Sequence, residues 1–262
     1  MTTINGNDDR ITLIGTGFYN IRSSFKVFGL IEVGTHMSLI RLSSGKFLII
    51  DTIEIDDPLK TKINDLTNNG DLIEAVVATH PFHTIFFPAF YTLYPNAKYY
   101  GCPRHLKNIT TIPWQGSFQD EASLKLWESE HIYLRIPDGA EFIDPIQTNH
   151  FSSVFVYHQP SRTIHVDDTI GFHPNPGCLL SCLVGAKRNQ LGFWSLEKGL
   201  KQESEAPMQF KQWVEQLLND WDFDNICAAH SGNKIGGAKN ELQLTLQREE
   251  ARLIQLSKKY DK

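Results

Sequence analysis

The sequence predicts a layered α/β fold. Three observations carry this reading: short apolar runs alternate with helical patterns through the first half, two hairpins punctuate the chain, and the second half ends in two helical stretches. Its 262 residues fit a single layered fold, and 41% hydrophobic with 21% charged residues is an ordinary globular balance. No low-complexity tract, internal repeat or long Pro/Gly/Ser linker divides the chain, so residues 1–262 read as one domain.

The elements follow in order. Met37 to Leu42 alternates apolar and polar residues, Ser43-Ser44-Gly45 turns, and Phe47 to Ile50 is a short apolar strand ending at Asp51. Asp57 to Asn69 carries Leu59, Ile63 and Leu66 at helical spacing and closes at Gly70. Leu72 to Ala78 reads as a buried strand delivering Thr79 and His80. A short helix over Phe90–Tyr94, a strand over Ala97–Tyr100 and a helical turn over Arg104–Lys107 come next. Thr111 to Glu141 has the least regular pattern and reads as a variable insertion beside the active cleft. Ser153–Tyr157 and Thr163–Val166 form a second hairpin ending in Asp167-Asp168. Pro207 to Trp221 is an amphipathic helix, Asn225 to Ala229 a strand running into His230, and 238–262 a C-terminal helix that packs.

Composition excludes several classes. A net charge of −5 with no basic stripe gives no footprint for nucleic acid. No apolar run is long enough for a membrane span, and the polar Met1–Arg10 lacks a signal-peptide layout, so the expected location is the cytoplasm. Cys102, Cys178, Cys182 and Cys227 form no CxxC pair and read as buried reduced thiols, with Cys178 and Cys182 on one helical face.

The chemistry sits at strand ends. Asp51, His80, Asp168 and His230 each follow an apolar strand, and His150 precedes one. A sheet holds such positions rigidly while the rim stays open. Imidazoles and a carboxylate are the ligand set of zinc or non-haem iron. His36, His105, His131 and His158 have no evident partner and are assigned to surface or packing. His165 points away from the Val166 face, His173 is a spare ligand candidate, and Asp167 is a solvated or hydrogen-bonded neighbour, unless it exchanges roles with Asp168. Phe82, Phe86, Phe87, Phe90 and Tyr91 crowd the loop after His80 and read as packing beneath it.

The order of Asp51 in FLIIDT, His80 in VVATHPFH, His150 before FSSVFVYHQPSRTIHVDD, and His230 in AAHSG resembles the metallo-β-lactamase superfamily. The resemblance spans roughly Thr35 to Gly232, most specifically through His150, Ser152, Ser153, Val156, Tyr157, Pro160 and Asp168. It implies an αββα sandwich, two mixed sheets flanked by helices. It also implies a metal held by His80, His83, His150, Asp168 and His230, with Asp51 supporting the site without touching the ion. The loop departs from the family's HxHxDH: Phe82, Thr84 and Ile85 stand where His, Asp and His belong, leaving HxxH with His83 in a spacer position. One ion, zinc or alternatively iron, is therefore expected more than two. The implied activity is hydrolysis of a small-molecule substrate by metal-activated water, with Asp168 positioning the nucleophile. Two rivals stay open: a non-catalytic binding protein that keeps the fold, and a non-haem iron oxidoreductase. The oligomeric state is also open, a homodimer being one arrangement.

Overall fold

The computed structural model describes residues 10–27, 31–146, 149–174, 187–230 and 232–261. Cys178 and Cys182, and the helical face expected for them, lie outside the described residues. The first half runs β1 (Ile11–Gly15), β2 (Phe18–Ser23), β3 (Lys26–Val27), β4 (Ile31–Glu32), β5 (Thr35–Arg41), β6 (Phe47–Ile50), α1 (Asp57–Thr67), β7 (Ile73–Ala78), α2 (Phe87–Leu93), β8 (Lys98–Gly101) and α3 (Pro103–Asn108). It continues with β9 (Trp114–Ser117), α4 (Glu121–Leu124), β10 (Ile132–Arg135), β11 (Phe155–His158), β12 (Thr163–Val166) and β13 (Ile170–Phe172). The last elements are β14 (Leu191–Phe193), α5 (Leu196–Gly199), α6 (Ala206–Asp220), β15 (Asn225–Ala228), β16 (Asn233–Lys234) and α7 (Ala238–Tyr260). Among the described residues no helix is long and apolar enough to cross a membrane.

Two mixed sheets dominate. One has seven strands in the order β1-β2-β5-β6-β7-β8-β9, the other five in the order β10-β11-β12-β15-β16. Strand periodicity explains how both are buried on two faces. In β6, Phe47 and Ile49 pack with α1 residues Leu59 and Ile63, while Leu48 and Ile50 face the other sheet. In β11, Val156 faces the first sheet, while Phe155 and Tyr157 join Trp213 and Leu217 of α6. Helices therefore cover both outer faces and a third apolar layer lies between the sheets, an αββα arrangement.

Local chemistry sets the helix ends. The Asp56 carboxylate accepts from the Leu59 amide at 3.0 Å, Pro58 sits in the first turn of α1, and Asn68 ends the helix at φ 50°. The helix stops two residues before the expected Asn69 because Asn68 and Asn69 both adopt left-handed backbone.

The irregular stretch expected over Thr111–Glu141 instead supplies β9, α4 and β10, so it closes the edge of one sheet and begins the next. Its spaced Trp114, Ser117, Ile132 and Leu134 are strand positions whose short runs hide the period. Strands β1 and β2, unanticipated from the sequence, extend the first sheet.

What positions the site is strand direction. In one sheet β6 runs parallel to β7, and in the other β12 runs parallel to β15. Their C-terminal ends carry Asp51, Thr79-His80, Asp167-Asp168 and, two residues past Ala228, His230. Hydrogen bonds from Thr79 to Asp167 and from His165 to Asp51 join the two ends across the layer.

Candidate metal centre

All five expected ligands meet around Asp168. His230 Nε2 lies 2.8 Å from Asp168 Oδ1; His80 Nε2, His83 Nε2 and His150 Nδ1 lie 3.5, 3.6 and 3.9 Å from Asp168 Oδ2. Ligand atoms of His80, His83 and Asp168 all fall within 4.8 Å of one another. His80 is fully buried and the His150 side chain is 46% exposed, so the cluster opens on the His150 side.

Three of the imidazoles are aimed by a second contact. His230 Nδ1 meets the Gly34 carbonyl oxygen at 2.8 Å, and that oxygen can only accept. The Nδ1 proton is thereby assigned, and the ring turns its Nε2 toward Asp168. His80 Nδ1 accepts from the Phe82 amide at 3.2 Å, while Nε2 sits 3.1 Å from the His150 carbonyl oxygen. The His83 ring spans both carboxylates, with Nδ1 3.5 Å from Asp167 Oδ1. His105, buried under the loop, reaches the His83 carbonyl oxygen at 3.2 Å and holds that backbone in place.

Asp51 lies at the end of β6, behind the cluster. Its φ of 55° is left-handed, a conformation aspartate tolerates, and its Oδ1 accepts from the Thr79 amide at 2.8 Å. The Thr79 hydroxyl lies between Asp51 Oδ2 and Asp167 Oδ2, the latter at 2.7 Å. The one hydroxyl proton is thus shared between two buried carboxyl groups. Burial, then the Asp167 charge, raises Asp51 above the usual carboxylate range. Burial would raise Asp167 too, but the neighbouring His83, then the His36 contact, holds it well below the carboxylate range.

Electrostatics divides the histidines. Burial, then His83, pushes His80 down to about 3. Burial would lower His83 as well, yet Asp167 and Asp168 together raise it well above 6.5. Asp168 resists its own burial through His230, His80 and His83 and stays well below 3.8. Without an ion, then, an imidazolium at His83 sits between two carboxylates.

One expectation needs correction. His36 is no bystander: it is buried, with Nε2 3.3 Å from Asp167 Oδ1. Of the two readings for Asp167, the structure has the hydrogen-bonded one, wholly buried. His165 points away from the Val166 face, stacks on His36 with ring centroids 4.0 Å apart and contacts Asp51 Oδ2 at 3.0 Å. The missed signal was alternation: His36, Ser38 and Ile40 share one face of β5, turned toward the second sheet. His173 does not join the cluster; it stacks on Trp194 at 5.5 Å, and Trp194 in turn lies 5.8 Å from His230. Of the aromatic residues, Phe87 and Phe90 pack in the core, whereas Phe82 stacks on His150 at 4.2 Å, with the Arg104 guanidinium 4.4 Å from its centroid.

The donor set suits a cation. Asp168 Oδ1 is buried, and the group nearest to it is His230 Nε2 at 2.8 Å, outside hydrogen-bond alignment. A buried charged acceptor left without a well-aligned donor costs about 1–3 kcal/mol or more, and a cation held among these groups would offset that cost.

No family model and no curated protein matches the chain. Solved structures match across nearly its whole length. FIM-1 from Pseudomonas aeruginosa, a metallo-β-lactamase in its mono-zinc form, gives a TM-score of 0.60 at 12% identity over 93% of this chain and 96% of that one. A metallo-β-lactamase from Hirschia baltica gives 0.58 at 14% identity over 90% and 95%. One from Pontibacter korlensis gives 0.57 at 12% over 94% and 98%.

The chain has the metallo-β-lactamase fold.

The metallo-β-lactamase fold accounts for the shared rim of strand ends in this structure. Within it, the loop after β7 carries Phe82, Thr84 and Ile85, and the His83 ring turns toward Asp168.

Proposed function

We propose that this protein is a metal-dependent hydrolase acting on a small molecule. One observation supports the reading most: four imidazoles surround a single buried aspartate, with ring nitrogens 2.8–3.9 Å from its carboxylate oxygens. His80, His83, His150, Asp168 and His230 would hold one ion, zinc or iron. Such an ion supplies a water of lowered pKa and a Lewis-acid contact for a scissile carbonyl or phosphoryl oxygen.

The chain's own residues then have separate tasks. Gly34 fixes the His230 tautomer, Thr79 and Asp51 hold the end of β7 against the second sheet, and Asp168 orients a nucleophile near the open side. Phe82 and the exposed face of His150 form the wall a substrate meets.

A second reading has its own observation. The His83 imidazolium balances both carboxylates without an ion, the charge arrangement a non-catalytic binding protein could keep. Elemental analysis separates the two. Wild type is expected to hold near-stoichiometric zinc or iron and the His80→Ala/His83→Ala double variant almost none. Wild type free of metal, gaining no thermal stability from either ion, favours the non-catalytic reading.

A further inference from the structure

Behind the centre lies a buried polar layer that the proposed chemistry does not use. It starts at Arg22 on β2. The guanidinium donates to the carbonyl oxygens of Ala228 and Ala229 at 2.9 and 3.0 Å, and to Asn233 Oδ1 at 2.9 Å. No carboxylate of the described residues pairs with it. Burial lowers it to about 10, which leaves it protonated at neutral pH.

An arginine has donors only, and this decides everything downstream. Asn233 must turn Oδ1 toward Arg22, so its Nδ2 donates to Asn20 Oδ1 at 2.8 Å. Asn20 must then present Nδ2 to its other neighbours: Ser38 Oγ at 3.0 Å and His36 Nδ1 at 3.3 Å, with the Met37 carbonyl oxygen farther off at 3.4 Å. Having accepted from Asn20, Ser38 has one proton left, and it goes to His165 Nδ1 at 2.9 Å. Both imidazoles receive on Nδ1, so both carry their proton on Nε2. His165 Nε2 donates to Asp51 Oδ2 at 3.0 Å, and His36 Nε2 to Asp167 Oδ1 at 3.3 Å. The register makes this possible: Asn20 pairs with Ser38 and Arg22 with His36 across β2 and β5.

We infer that Arg22 is a positioning residue for the candidate centre: through Asn233 and Asn20 it sets the direction of the protons that reach Asp51 and Asp167. The same guanidinium anchors the two carbonyls just ahead of His230. Ligand atoms of His36, His165 and Asp167 also lie within 4.8 Å of one another, the spacing of a second metal group. The proton directions assign that group to hydrogen bonding, because Nε2 protons rather than lone pairs face the carboxylates.

The test is the imidazole tautomer, read from ring 15N shifts in long-range 1H–15N spectra. Wild type is expected to show His36 and His165 with bare Nδ1 and protonated Nε2. Asn233→Asp is nearly isosteric and keeps the Arg22 contact, but it offers only acceptors. Asn20 must turn over, and His36 is expected to switch its proton to Nδ1. Wild type with Nδ1-protonated rings, or an Asn233→Asp variant that keeps the Nε2 tautomers, overturns the inference. The consequence for metal binding rests on the proposed function: zinc affinity of Asn233→Asp should fall roughly tenfold or more, as for other groups that orient ligands. Wild type that binds no zinc would retire the metal reading alone, since the tautomers are measured without it.

Discussion

His230 Nε2 lies 2.8 Å from the buried Asp168 Oδ1, while Nδ1 on the far side of the ring is committed to the Gly34 carbonyl oxygen. The ring is thus held with Nε2 beside the carboxylate, where a bound cation would meet both. Asp168→Asn removes one lone pair and most of the negative charge. Ion-induced stabilisation, about 2.7 kcal/mol when the ion is at a hundredfold its Kd, should vanish in this variant. Thermal unfolding with and without added zinc checks it.

Thr79 ties the two sheets together through Asp51 and Asp167. Thr79→Val keeps the shape and leaves both carboxyl groups short of a partner inside a buried layer. A loss of about 1–3 kcal/mol is expected, and Thr79→Ser should recover most of it. Urea unfolding of the three proteins measures both effects.

Histidines outside the centre set the acid limit. Burial lowers His105 and His158 each to about 4. Between that value and the ordinary 6.5, the unfolded chain binds protons that the folded chain refuses. Stability from these groups is complete above 6.5 and falls as the pH drops toward 4. Urea midpoints should decline over that interval, and His105→Gln should flatten the decline.

His83 has the opposite sign in metal-stripped protein. Its folded pKa is raised, so its contribution is present below 6.5 and is lost as the pH rises through the elevated value. Asp167 and Asp168 are depressed and contribute above 3.8, losing that as the pH falls through their folded values. The stability difference between wild type and His83→Gln should therefore be largest between those limits and shrink at alkaline pH. A difference that grows with alkalinity would show that His83 is neutral in the stripped protein.

Gly171 lies where a Cβ would come 1.8 Å from Trp194 Nε1. Gly171→Ala must displace the indole that lies against both His173 and His230. A cost of about 1–3 kcal/mol is expected for this overpacking, together with weaker zinc binding, and calorimetry reads both.

Strand ends were the legible part of the site. Asp51, His80, Asp168 and His230 each follow an apolar run, and a polar residue there is conspicuous in the bare sequence. The layer behind them was hidden for a physical reason. Asn20, Arg22, His36, Ser38 and His165 alternate with apolar residues, and alternation shows which residues share a face, not what that face meets. Their role emerges only when β2, β5 and β12 are brought together from two sheets. The pattern of β9 and β10 failed differently, because four-residue strands are too short to display a period.

Anomalous diffraction from crystals grown with zinc, or with iron, tests the central claim most directly. A peak is expected at about 2.0–2.2 Å from both His230 Nε2 and Asp168, with His83 drawn out of its bridging position. A map with no peak there, and His83 still spanning Asp167 and Asp168, would contradict it.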